Sequence, residues 1–197
     1  MKRARNKSHK KLLIIIPVFV AVAATASIGA VLAFSRSRSL VNNNIEANGT
    51  SVQIIEDSEA GFGRKNISFY NNDVKNAPVL LRIAYSEAWT KNDGTVVSNV
   101  FYNGSSYVNA VAKTWTSDFN NYFVDGNDGW YYYEKTLAPL QTVQVLQSIA
   151  LNNNDYAIYN YDLSFRFEAI QADADAANTL WGKTVTVGND GTVTWQF

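Results

Sequence analysis

Among its 197 residues the chain holds one histidine, His9, and no cysteine, so the side chains that most often carry nucleophilic, general-base or metal chemistry are nearly absent. His9 sits among Lys2, Arg3, Arg5, Lys7, Lys10 and Lys11, ahead of a long apolar run and within a segment expected to be removed. Without imidazole or thiol, neither a Ser-His-Asp nor a Cys-His arrangement can be assembled, and zinc sites built from His and Cys lose their ligands. No HExxH motif is present, which removes the helix-borne zinc and activated water of that metalloprotease class. Carboxylates are what remain.

Asp125-Gly126-Asn127-Asp128-Gly129 places carboxylates and an amide at spacings that suit a hard cation, but no acid stands at the twelfth position and no flanking helices are evident. It reads as turn chemistry, and neither a metal nor a cofactor is expected. Asp173 and Asp175, two apart, fall on different helical faces and read as a solvated helix start rather than a carboxylate pair. Asn48-Gly49-Thr50, Asn66-Ile67-Ser68 and Asn103-Gly104-Ser105 match the glycosylation sequon, which is chance in a bacterial export context. Tyr131 to Tyr133 would stack sugars, but aromatic alternation in a sheet accounts for them. Lys113, Lys135 and Lys183 lie near aromatic strands, where lysine-to-Asn or Asp crosslinks form in bacterial sandwiches, and spacing alone does not choose among them.

These residues need a scaffold, and the ends of the chain differ in kind. Leu12 to Phe34 is almost wholly apolar, follows the basic segment and ends in small residues, with Val31-Leu32-Ala33 matching the small-x-small rule of signal peptidase. Residues 1–34 therefore read as a signal peptide, with Val31 and Ala33 marking cleavage and a mature N-terminus between Phe34 and Leu40. Left uncleaved, the same run would be a membrane anchor; either way the domain is extracytoplasmic. Beyond it, 11 Lys and Arg face 17 Asp and Glu, a net charge of −6. An acidic domain repels phosphate backbones, so nucleic acid is excluded as a partner. An exported domain without disulfides must draw its stability from core burial and sheet hydrogen bonds.

Residues 35–50 form a polar arm with a few apolar positions, and residues 51–197 read as one all-β domain. Val52 and Ile54, then Ile67 and Phe69, alternate with polar neighbours, and Pro78 precedes the run Val79 to Tyr85. Asn92-Asp93-Gly94 and Asn103-Gly104 supply the positive φ that hairpin turns need. Asp118 to Trp130 reads as turn-rich, followed by strands at Trp130 to Glu134 and Thr142 to Leu146. Leu163, Phe165 and Phe167 alternate with Ser164, Arg166 and Glu168 as in a strand covered on one side only. Ala169 to Trp181 is the single expected helix. Thr184 to Val187 and Thr192 to Trp195 flank Gly188-Asn189-Asp190-Gly191 as a hairpin. Many short strands with frequent turn signals predict an antiparallel sandwich.

Three stretches carry a family resemblance: Lys65 to Ile83, with its Asn turn, Pro78 and Arg82; Gly129 to Leu140, with Trp130-Tyr131-Tyr132-Tyr133 and Leu137-Ala138-Pro139; and Phe167-Glu168-Ala169-Ile170-Gln171-Ala172-Asp173 running on to Leu180-Trp181-Gly182. Together with the signal region they resemble the SipW-dependent TasA/camelysin/BsaA family of biofilm matrix fibre proteins of Gram-positive bacteria, and most of all its BsaA members. Leu140 departs from the family, in which a Gly-Glu pair commonly follows the proline, and the arm lacks the usual aromatic residue. The resemblance implies a jelly-roll-like β-sandwich, with one short helix, secreted to the extracellular matrix or cell surface, with no enzymatic activity. It further implies a pilin-like fibre in which a subunit's N-terminal strand completes its neighbour's sheet. Leu40, Val41, Ile45, Val52 and Ile54 are the expected pocket-filling side chains of that donor strand. Partners would be further copies of the chain, a SipW-type signal peptidase and an accessory matrix protein. Two alternatives stand beside this reading: a surface-binding accessory protein that does not polymerise, and a camelysin-like metalloprotease, which the missing HExxH and mature histidine argue against.

Overall fold

The computed structural model describes residues 52–58, 62–73 and 77–197. The expected signal peptide with Val31 and Ala33, and the arm with Leu40, Val41 and Ile45, lie outside the described residues. Period-two alternation builds two antiparallel sheets. In spatial order the first holds β1 (Val52–Ser58), β2 (Gly63–Asn71), β10 (Thr142–Leu151) and β7 (Val111–Trp115). The second holds β11 (Asn160–Gln171), β3 (Val79–Thr90), β9 (Tyr131–Tyr133) and β8 (Phe123–Asp125), with β4 (Val96–Val97) also on β3. β5 (Val100–Tyr102) and β6 (Tyr107–Asn109) make a separate hairpin around Asn103-Gly104.

Inward side chains of both sheets share one core: Ile67 and Phe69 from β2, Leu81, Ile83 and Trp89 from β3, Val143 and Val145 from β10, Phe165 and Phe167 from β11. Each such side chain taken from water contributes roughly 1.5–3 kcal/mol, the main source of stability in a domain without disulfides. This is the all-β, sandwich-like architecture that the alternation predicts.

Three expectations are corrected. The helix expected over Ala169 to Trp181 is shorter: α2 spans Ala174–Trp181, because Ala169 and Ile170 still pair with Leu81 and Leu80 at the end of β11. Asp173 caps it, accepting from the N–H groups of Asp175 and Ala176, and Gly182 closes it at φ 63°. Nor is it the only helix, since the turn-rich Asp118 region contains α1 (Ser117–Tyr122), capped by Thr116 through the Phe119 N–H, and a 3₁₀ turn covers Asn154–Ile158. Short helices with few apolar positions leave no periodicity to read.

Arg166 stays exposed as the alternation predicts, and the third correction concerns only the C-terminal end of β11, which is covered on both faces. Its outer face carries Ile170 into a second core with Leu80, Tyr132, Ala177, Val185, Val193 and Trp195. The cover is α2 and the hairpin of β12 (Thr184–Val187) with β13 (Val193–Gln196). Trp195 Nε1 donates to the Tyr133 carbonyl at 2.9 Å. On that face Arg166 is exposed and Glu168 half-buried, so the cover reaches only the end of the strand at Ile170.

Candidate functional site

Phe69 of β2 meets Phe167 of β11 edge to face at 5.4 Å, and Phe62, just ahead of β2, stacks on Tyr161 of β11 at 5.8 Å. β2 therefore lies over β11. β1 and β11 are each an end strand of their sheet among the described residues. Among the described residues no strand pairs with the outer side of β11 along its 12 residues. In an antiparallel ladder, alternate residues turn N–H and C=O away from the partner, which is how an end strand takes on a further strand.

The register of β1 places Val52 opposite Asn71, Ile54 opposite Phe69 and Glu56 opposite Ile67, all on the inward face. Val52 is buried at 3% exposure and Ile54 packs against the same core. Glu56 Oε1 is buried without a hydrogen-bond partner. Of the five expected donor-strand residues, these two thus occupy their own domain's sheet in the single chain, and the other three fall in the undescribed arm.

On the outer face of the second sheet, Arg82 bonds Glu168 Oε2 through Nη2 at 2.6 Å and Nε at 3.0 Å, and donates to Tyr132 Oη at 3.1 Å. Its guanidinium lies 4.4 Å from the Trp130 ring centroid and 4.6 Å from that of Trp181. Asp128 accepts from Tyr132 Oη at 2.8 Å and pairs with Lys183 at 2.9 Å. Burial works to raise the Asp128 carboxyl, but hydrogen bonds from Lys183, Tyr132 and the Trp130 N–H outweigh it and hold the group below its usual range. Burial, reinforced by the Asp128 hydrogen bond, pushes the Tyr132 phenol up to about 12. The cluster fastens α2 and the last hairpin to the sheet.

The Asp125 loop is a turn: Asp125 accepts the Asn127 N–H and Asp128 the Trp130 N–H, with Asn127 at φ 55°. Gly126 packs against Tyr132, whose ring leaves no room for a Cβ. Among the described residues no three His, Cys, Asp or Glu side chains converge as a metal site would require. Of the three lysines singled out, Lys135 lies over the Tyr122 ring, Lys183 pairs with Asp128, and Lys113 enters the core against Glu87. Sequence reasoning passed over Glu87, although its inward position between Tyr85 and Trp89 in an alternating strand was a usable signal. It also read Asn71-Asn72-Asp73 as an ordinary turn, whereas Asn71 and Asp73 are buried. No protein-family model, curated protein or solved structure matches the chain.

Proposed function

We propose that the chain is a secreted, non-enzymatic structural subunit of an extracellular biofilm matrix fibre, with a jelly-roll-like domain behind a signal peptide over residues 1–34. Residues 35–50 are donated as a strand to the β11 edge of the next subunit. What supports this reading is that β11 is the last strand of its sheet among the described residues, together with the family resemblance of Lys65 to Ile83, Gly129 to Leu140 and Phe167 to Gly182. An added strand would extend the sheet past β11 while Leu40, Val41 and Ile45 filled positions between the sheets. Sixteen extended residues reach at most about 55 Å, enough to cross to a neighbouring sandwich.

Electron microscopy of the mature protein at rising concentration tests it. Filaments are expected from the intact mature chain and none after deletion of Ser35 to Gly49, and the arm supplied as a peptide should cap growth. Normal filaments from the truncated chain would remove the arm as donor. A second reading, a surface-binding protein that does not polymerise, is favoured by the β5–β6 hairpin, where Tyr102 is 58% and Tyr107 76% exposed with rings 5.5 Å apart. Y102S/Y107S would then abolish adhesion to cells, with no filaments at any concentration.

A further inference from the structure

Lys113 and Glu87 come from opposite sheets and meet inside the sandwich. Lys113 lies on β7 between the core residues Val111 and Trp115, and Glu87 on β3 between Tyr85 and Trp89. The ammonium nitrogen is 2.9 Å from Oε1 and 2.8 Å from Oε2 of Glu87, and the two side chains are only 7% and 14% exposed. Tyr161 Oη donates to Glu87 Oε2 at 2.8 Å. Asn99, between β4 and β5, is held against this pair by its backbone, since its carbonyl accepts the Ala110 N–H at 2.8 Å, three residues before Lys113. Val97 pairs with Trp89 on β3, so two residues further on Asn99 comes to the level of Glu87, and its Oδ1 is buried without a hydrogen-bond partner. The rings of Tyr85, Trp89 and Tyr161 stand around the group.

An amine and a carboxyl in contact, with a carboxamide brought to their level in an aromatic interior, are the three groups that amide exchange requires, and a buried carboxamide oxygen without a donor marks where one must be supplied. We propose that Lys113 and Asn99 join in an intramolecular isopeptide bond, with Glu87 as the proton-transfer group. In the unreacted chain burial works to raise the Glu87 carboxyl, but the hydrogen bonds from Lys113 and Tyr161 outweigh it, so the pair rests as ions. Attack requires the free amine, so the reaction proceeds from the minor population in which one proton has passed along the short contact to give neutral amine and carboxylic acid.

The Lys113 nitrogen then attacks Asn99 Cγ while the Glu87 O–H donates to the bare Oδ1. The C–N bond to lysine forms, Glu87 carries a proton from the attacking nitrogen to the amide nitrogen, and the C–NH2 bond breaks with loss of ammonia. The amide bond replaces the buried ion pair, and the remaining proton rests on Glu87 or leaves on ammonia as ammonium. No oxidant or cofactor enters the balance. In a domain without cysteine the bond would tie β7 to the β4–β5 segment as a disulfide would elsewhere, whether or not subunits polymerise.

The test is the mass of the intact chain, purified folded and then denatured, together with a peptide map. The expected result is a mass lower by one ammonia and a branched peptide joining Lys113 to Asn99, absent from K113R, E87Q and N99A. N99D should form the same bond with loss of water instead. Because Asn-Gly sequences also lose ammonia, the branched peptide decides and the mass alone does not. A wild-type chain of full mass whose Lys113 takes up an amine reagent after denaturation overturns the proposal, as does a branched peptide that joins two chains. Retention of the bond in E87Q overturns the role given to Glu87. The wild-type measurement stands even where a variant fails to fold.

Discussion

Asn71 Nδ2 donates to the Leu137 carbonyl at 3.0 Å, joining residues 66 apart in the chain. The same amide nitrogen reaches the Ala77 carbonyl at 3.1 Å, and Asn71 Oδ1 accepts the Asp73 N–H at 3.0 Å. The crossing from the first sheet to the second is thus locked to the Leu137-Ala138-Pro139 turn by one fully buried amide.

Replacing Asn71 with Leu should therefore cost more than a lost surface contact. The Ala77 carbonyl and the Asp73 N–H would lose the bonds that Asn71 gives them, and the Leu137 carbonyl would keep only the Val79 N–H, at about 1–3 kcal/mol for each group left unsatisfied. We expect a loss of about 3 kcal/mol or more, read as a lower urea midpoint at unchanged m-value. A loss under about 1 kcal/mol would mean that water replaces the amide.

Acid stability should depend on Asp128. Its carboxyl is held below its ordinary value in the folded chain, so its contribution is complete above the unfolded pKa and disappears as pH falls through the folded one. D128N should be less stable than wild type at neutral pH, with the difference closing below about pH 4. Thermal melts from neutral pH to pH 2 check this.

At the alkaline end the sign reverses. Burial first of all pushes the phenols of Tyr85, Tyr132 and Tyr133 up to about 12, so the folded chain holds these protons more tightly than the unfolded one. Stability should be intact below pH about 10 and fall steadily towards pH 12. Ultraviolet titration should show a late class of tyrosines that joins the ordinary one in denaturant.

Trp195 should be indispensable to the second core. W195A removes a large buried ring and leaves the Tyr133 carbonyl without its donor, for a loss of about 3–5 kcal/mol. Binding of a hydrophobic dye should rise as Leu80, Ile170 and Tyr132 are uncovered.

How far these features could be read in advance follows from the range of the interactions involved. Alternation at Val79 to Tyr85 and at Leu163 to Phe167, and the Asn-Asp-Gly turn after Val187, depend on neighbours within a few residues, and the strands and hairpin they predict are present. The burial of Asn71 depends on a partner 66 residues away, and local polarity pointed to a turn. The cover over the end of β11 depends on the last hairpin folding back, which Arg166 and Glu168 gave no reason to expect. Lys113 was singled out among three lysines, but Glu87 comes from the facing sheet, and its contact exists only once the sheets are paired.

The pairing of β3 with β11 has a kinetic consequence. Arg82 and Glu168, opposite one another in that ladder, are 86 residues apart in sequence. A chain whose longest strands meet across such a span must close a large loop before it gains the contacts, which places it among slow folders, on the order of milliseconds to seconds. Until β11 has emerged, β3 has lost no configurational freedom to its main partner, and half of its hydrogen-bonding edge waits on a segment made late in the chain.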